Sequence, residues 1–130
     1  KMTAFFALLT ASGLSQREAA QILGVSKDVI QDFCKSTRRN TARPNQLAVL
    51  AEIIDQNQEA ADNLAAMIFE KSAPNVTEIE IAISADDYEA QQNGFATMSA
   101  ERAAIGLALA QIEIDDLPKI KLVYRGMTPN

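Results

Sequence analysis

Between Gln16 and Lys35 the chain reads Gln-Arg-Glu-Ala-Ala-Gln-Ile-Leu-Gly-Val-Ser-Lys-Asp-Val-Ile-Gln-Asp-Phe-Cys-Lys, and this stretch constrains the fold more than any other. Two short helices packed at a steep angle need a tiny residue where they touch, a glycine at the bend and apolar anchors on both sides. Ala20 supplies the close approach, and Gly24 ends the first helix, where a positive φ is cheap only without a Cβ. Val25 plugs the turn, Ser26 caps the second helix, and Ile30 and Phe33 return to the core. Ser15 and Glu18 form a capping box that fixes the start of the first helix, with Leu14 placed as a staple against Ala19. The second helix is expected from Ser26 to about Lys35. Its apolar face is Val29, Ile30 and Phe33, and Lys27, Gln31 and Lys35 follow one another at i, i+4, i+8 on the opposite side.

These residue types and spacings resemble the helix-turn-helix of the phage-repressor, Cro and Xre-like DNA-binding proteins. The resemblance covers roughly Thr3 to Lys71. Ala20, Gly24, Val25, Ile30 and Phe33 carry its structural half, and Gln16, Ser26, Lys27 and Gln31 match positions those families use on DNA. Many members have Trp-Glu-x-Gly-Arg after the recognition helix, where this chain has Phe33-Cys34-Lys35-Ser36-Thr37-Arg38-Arg39. The resemblance implies a mainly α, phage-repressor-like five-helix bundle over residues 1–71, whose recognition helix enters a DNA major groove. Periodicity supplies the helices themselves. The first runs from Thr3, as cap, to about Ser12, broken by Gly13. After a loop from Ser36 closed by Pro44, a fourth runs from Asn45 to Asp55, burying Leu47, Leu50, Ile53 and Ile54. Gln56 and Asn57 are expected to interrupt it, and a fifth follows from Glu59 to about Lys71 with Leu64, Met67 and Ile68 inward.

On this reading Ser26, Lys27, Asp28 and Gln31 are the base-reading candidates. The glutamine amide donates and accepts at once, as adenine requires, and lysine donates to guanine. Asp28 has a second role open to it, in the first turn of its own helix, where a negative charge is favoured. Asp32 is expected off the groove or paired with a nearby basic residue. Gln16, Arg17, Lys35, Thr37, Arg38, Arg39 and Arg43 are the phosphate candidates, which position a protein without reading sequence.

The charge distribution accords with this. The chain carries 12 Lys/Arg and 17 Asp/Glu, a net charge of -5. Yet Lys1–Asn45 holds seven basic residues against three acidic ones, and the remainder five against fourteen, so positive potential gathers beside the reading head. There is no His and a single Cys, which excludes Cys/His zinc sites, an intrachain disulfide, and Ser-His-Asp or Cys-His catalysis. Cys34 is expected to be a small, part-buried core residue, with a redox-sensing thiol tuned by Lys35 as the alternative. A free thiol suits a reducing cytoplasm. The opening Lys1–Ser12 stretch has the look of a signal peptide but is expected to be a helix, since Phe5, Leu8 and Leu9 fall at helical spacing. No run approaches the length of a membrane span.

After Ser72-Ala73-Pro74 the pattern changes. Thr77–Ser84 alternates, with Ile79, Ile81 and Ile83 on one face, and reads as a half-buried strand. A short helix over Ala85–Gln92 stops at Asn93-Gly94, a longer one capped by Ser99 runs to about Ile112, and Lys119–Arg125 is a second strand with Ile120, Leu122 and Tyr124 on one face. Ile105, Leu109 and Ile112 form an apolar stripe that the two strands look too short to cover. Residues 75–130 are therefore expected to be a small α/β module that dimerises through Ile105, Gly106, Leu109 and Ile112. Folding back onto the first domain, or binding a different protein, are the alternatives.

The sequence thus points to a cytoplasmic regulator that binds double-stranded DNA, a homodimeric repressor on a palindromic operator. Two other classes stay open: the antitoxin of a toxin–antitoxin pair, with residues 75–130 holding the toxin, and a DNA-packaging or assembly protein. No catalytic residues, cofactor or metal are expected, and no small-molecule effector is assigned. The acidic pairs Asp86-Asp87 and Asp115-Asp116 are expected on surface turns.

Overall fold

The computed structural model of the chain describes residues 2–36 and 40–125. It is mainly helical with a small two-stranded β region, and packing divides it into two compact units, Lys1–Gln56 and Asn57–Asn130.

The first unit contains α1 (Ala4–Ser12), α2 (Gln16–Leu23), α3 (Lys27–Phe33) and the opening turns of α4 (Pro44–Lys71). Each short helix is bounded by its own chemistry. Thr3 caps α1 through the Phe6 N–H, and Gly13 ends it at φ 79°. The Ser15/Glu18 capping box is formed reciprocally, and Gly24 ends α2 in the left-handed region at φ 69°. Ser26 caps α3 by accepting from the Val29 N–H. Phe5, Leu9, Leu14, Ala19, Ala20, Ile30, Phe33, Leu50 and Ile53 are buried. The Phe5 and Phe33 rings meet edge to face, 5.2 Å between centroids at 71°, and the Thr3 hydroxyl also donates to the Phe33 carbonyl.

Two expectations for this half are corrected. The helix α3 ends at Phe33, so Lys35 does not continue its outer face; Lys35 sits instead in an isolated antiparallel bridge with Met2. Nor do Gln56 and Asn57 divide α4, which is continuous from Pro44 to Lys71. Neither residue is Gly or Pro, and each costs a helix less than about 0.7 kcal/mol relative to alanine. The buried stripe decides the outcome: Leu50, Ile53, Asn57, Ala61, Ala65 and Ile68 recur at helical spacing, with Asn57 itself buried. Residues 1–71 therefore hold four helices among the described residues, not five.

The second unit comprises residues 57–71 of α4, β1 (Ile79–Ile83), α5 (Asp87–Gln92), α6 (Met98–Leu109), a 3-10 helix (Ile114–Lys119) and β2 (Ile120–Tyr124). The strands pair in parallel, Ile79 with Ile120 through Ile83 with Tyr124. A parallel pair needs a long crossover, and the three helical segments between the strands provide it. Asp86 caps α5. The cap of α6 is Thr97, not Ser99: its hydroxyl accepts the Ala100 N–H, while Asp87 accepts the Met98 N–H at 2.9 Å.

The apolar stripe of α6 is partly covered within its own unit. Leu109 and Ile112 pack on Ile68, Ile79 and Ile81, and Ile112 also on Ala61, Ala65 and Ala108. Ile105 is buried. Residues 57–71 of α4, which the sequence assigns to the first domain, supply Ala61, Ala65 and Ile68 to these clusters, and packing groups this stretch with the second unit. Gly106 is exposed, and a Cβ built on it would meet nothing within 4 Å.

Two glycine-to-alanine substitutions should have opposite signs. At Gly24 the left-handed backbone has open space around it, so Gly24→Ala should cost about 1–2 kcal/mol in strain alone. At Gly106, inside α6 and in open space, Gly106→Ala should stabilise by about 0.5–1 kcal/mol. Urea melts followed by circular dichroism check both; a neutral Gly24→Ala would contradict the turn geometry.

Candidate functional site

The outer surface of α3 collects the four expected base-reading residues. Ile30 and Phe33 face inward and Val29 is half-buried, so Ser26, Lys27, Asp28 and Gln31 are left exposed. Lys27 and Gln31 are one turn apart and stand one above the other. The Ser26 oxygen accepts the Val29 N–H at 3.2 Å, while its hydroxyl keeps a proton to donate. Asp28 lies in the first turn, where the helix N-terminus favours its charge. Asp32 accepts from the Asn40 amide at 3.0 Å.

The expected phosphate contacts are more scattered. Gln16 is the first residue of α2 and half-buried, and Arg17 beside it is exposed. The Gly24–Ser26 turn joins that helix directly to α3. Lys35 is exposed on the bridge to Met2. Arg43 is exposed immediately before α4, and its backbone N–H donates to the Gln46 side chain at 2.8 Å. Thr37, Arg38 and Arg39 lie outside the described residues.

Cys34 is buried at the end of α3. Burial pushes its thiol pKa up, and the nearby Lys35 charge opposes this only in part. The balance favours the inert core residue over the redox sensor, because the thiolate is the reactive form.

A second polar centre lies in the Asn57–Asn130 unit and was not foreseen. Glu101, in the first turn of α6, is 2% exposed. One carboxylate oxygen accepts the Ser84 N–H at 2.8 Å and the other the Ser84 hydroxyl at 2.9 Å. Arg125 Nη2 stands 3.6 Å from Glu101 and donates to the Ala82 carbonyl at 3.3 Å, and its Nε is 3.6 Å from Glu89. These groups border a cleft of about 380 Å³ floored by Leu64, Met67, Ile81, Ala104 and Ile105. The carboxylate is engaged by its own chain on both oxygens, so its evident work is to tie the end of β1 to α6. One signal was present in the sequence: Glu101 precedes Ala104, Ile105 and Ala108 at helical spacing, a lone acid on an apolar stripe.

Three of the four acids in the acidic pairs are engaged structurally. Asp86 and Asp87 serve helix starts, and Asp116 pairs with Lys119 at 3.1 Å. Among the described residues no cluster of three His, Cys, Asp or Glu side chains could hold a metal ion, and no helix is long and apolar enough to cross a membrane. Comparison of the chain with protein-family models, curated proteins and solved structures gave no match.

Glu101→Ala should destabilise the protein by roughly 2–4 kcal/mol, since it strands the buried Ser84 N–H and removes one of the two acidic partners of Arg125. The loss should appear as a lower urea midpoint, and an unchanged midpoint would contradict the tie. The Cys34 thiol should alkylate more slowly than a free thiol at neutral pH, speed up as pH rises, and reach the free-thiol rate only on unfolding. Iodoacetamide labelling followed by mass spectrometry reads this directly.

Proposed function

We propose that the first unit binds double-stranded DNA through α3 and that the protein is a sequence-specific transcriptional regulator. The observation that carries this reading is the division of α3 into two faces. Ile30 and Phe33 hold one side in the core, so Lys27, Asp28, Gln31 and the cap Ser26 stand exposed on a rigidly mounted helix. A helix mounted this way, on a three-residue turn closed by a left-handed glycine, is the shape a major groove admits. The excess of basic over acidic residues in Lys1–Asn45 supports it, as does the resemblance of Gln16–Lys35 to the repressor-type helix-turn-helix. An acidic whole does not oppose DNA binding when charge is segregated, because phosphates respond to the local potential.

Two measurements test the proposal. Affinity for duplex DNA, followed by fluorescence anisotropy, should fall steeply with salt, with a log–log slope of about -0.9 per phosphate neutralised. A flat dependence would contradict DNA binding outright. After selection of a preferred duplex, Gln31→Ala should weaken that site by roughly 1–3 kcal/mol and relax preference at one base pair. Arg39→Ala should weaken all duplexes alike. Equal losses on every sequence for both variants would favour a packaging or assembly role over sequence-specific regulation.

A further inference from the structure

Lys35 stands among the proposed phosphate contacts, yet α3 ends at Phe33, two residues before it. Something other than the helix must therefore aim its side chain. Three contacts converge on this end of α3, and all of them come from residues 2–5. The backbones of Met2 and Lys35 form an antiparallel bridge. The Thr3 hydroxyl donates to the carbonyl of Phe33, one of the acceptors that a helix leaves unsatisfied at its C-terminus. The Phe5 ring meets the Phe33 ring edge to face. Buried Cys34 lies between these anchors, so the backbone from Phe33 to Lys35 is held at both ends. Lys35 itself stays exposed. Thr3 also accepts the Phe6 N–H, which fixes the strap of residues 2–3 to the start of α1.

We propose that Met2 and Thr3 are positioning residues, which hold the Lys35 backbone so that its ammonium meets a DNA phosphate while the start of α3 faces base edges. The inference rests on the DNA reading and gives the residues before α1 a task in it. The dimensions suit that task. Seven helical residues span about 10 Å, and the major groove is about 8.5 Å deep. With the start of α3 entering first, a residue just past its end stands at the level of the phosphates. The lysine ammonium is a compact point charge on a flexible stem, so the direction of its reach is set by the backbone that carries it. Phosphate contacts fix the orientation of a protein on the duplex. The strap thus governs how α3 is presented as well as where Lys35 points.

The experiment uses the full chain and measures its binding to one mixed-sequence duplex by fluorescence anisotropy over a range of salt. Lys35→Ala should reduce the magnitude of the log–log slope by about 0.9, the share of one phosphate contact. Thr3→Val, which removes the hydroxyl, should shift the slope in the same direction, and Thr3→Ser, which keeps it, should restore the wild-type slope. Met2→Gly, at a side chain 75% exposed, loosens the bridge through backbone freedom alone and should act as Thr3→Val does without endangering the fold. In a Lys35→Ala background Thr3→Val should change the slope no further, because Thr3 acts through Lys35. A merely structural loss behaves differently: fewer folded molecules lower the affinity alike at every salt concentration and leave the slope unchanged. A flat salt dependence of the wild-type chain would contradict the DNA reading and this inference together. A steep wild-type slope that Lys35→Ala leaves unchanged, or that neither Thr3→Val nor Met2→Gly shifts, would overturn this inference while the DNA reading stands. So would a slope that Thr3→Val still lowers once Lys35 is gone.

Discussion

The first unit depends on how α3 is fastened to α1. Seven residues are far too few to hold a helix in water, where isolated helices are marginal below about 12–15 residues. The helix persists because Phe33 presses edge to face on Phe5, Ile30 is fully buried and the Thr3 hydroxyl holds the Phe33 carbonyl. An aromatic pair of this geometry adds about 0.5–1.5 kcal/mol beyond its burial. Thr3 has two tasks at once, since the same oxygen caps α1 by accepting the Phe6 N–H. The start of α1 and the end of α3 are therefore one structural feature. With the inner side of α3 fixed in this way, the outer side is fixed as well, and that side carries the proposed function.

A different logic holds the second unit. Small residues let α4 and α6 meet: Ala61 and Ala65 on one helix pack against Ala108 on the other. The isoleucines Ile68, Ile79 and Ile81 fill the space beneath the strands. Burying Glu101 in such surroundings would be costly if it were unpaired, and the backbone and hydroxyl of Ser84 meet that cost on both oxygens.

What could be read in the sequence follows the range of each interaction. Gly13, Gly24, Ser15 with Glu18, and Ser26 obey rules that span four residues or fewer, and the structure places all of them as expected. The β1 alternation is equally local. The end of α3 was misjudged because Lys35 answers to Met2, far away in sequence, and not to the helix before it. Gln56 and Asn57 look like an interruption in sequence, whereas Ile53 and Ala61, at i-4 and i+4 from Asn57, keep the buried stripe running through it. Once α4 is continuous, its second half packs on α6 and covers part of the stripe at Leu109 and Ile112. The Ser84–Glu101 tie joins residues 17 positions apart, and Arg125 reaches back to Ala82 across 43. Thr97 and Ser99 were both good caps, and only Asp87, met through the fold, distinguishes the starts.

On the proposed function, the exposed face of α3 is the surface that meets DNA. A nuclear magnetic resonance titration of the isotopically labelled full chain with a mixed-sequence duplex, at low salt where backbone contacts dominate, tests it most directly. The amide shifts that move most should belong to Ser26, Lys27, Asp28 and Gln31 at the start of α3 and to Gln16 and Arg17 at the start of α2. The signals of β1, α5 and α6 should stay in place. Shifts concentrated in residues 79–125, or none anywhere at saturating duplex, would contradict it.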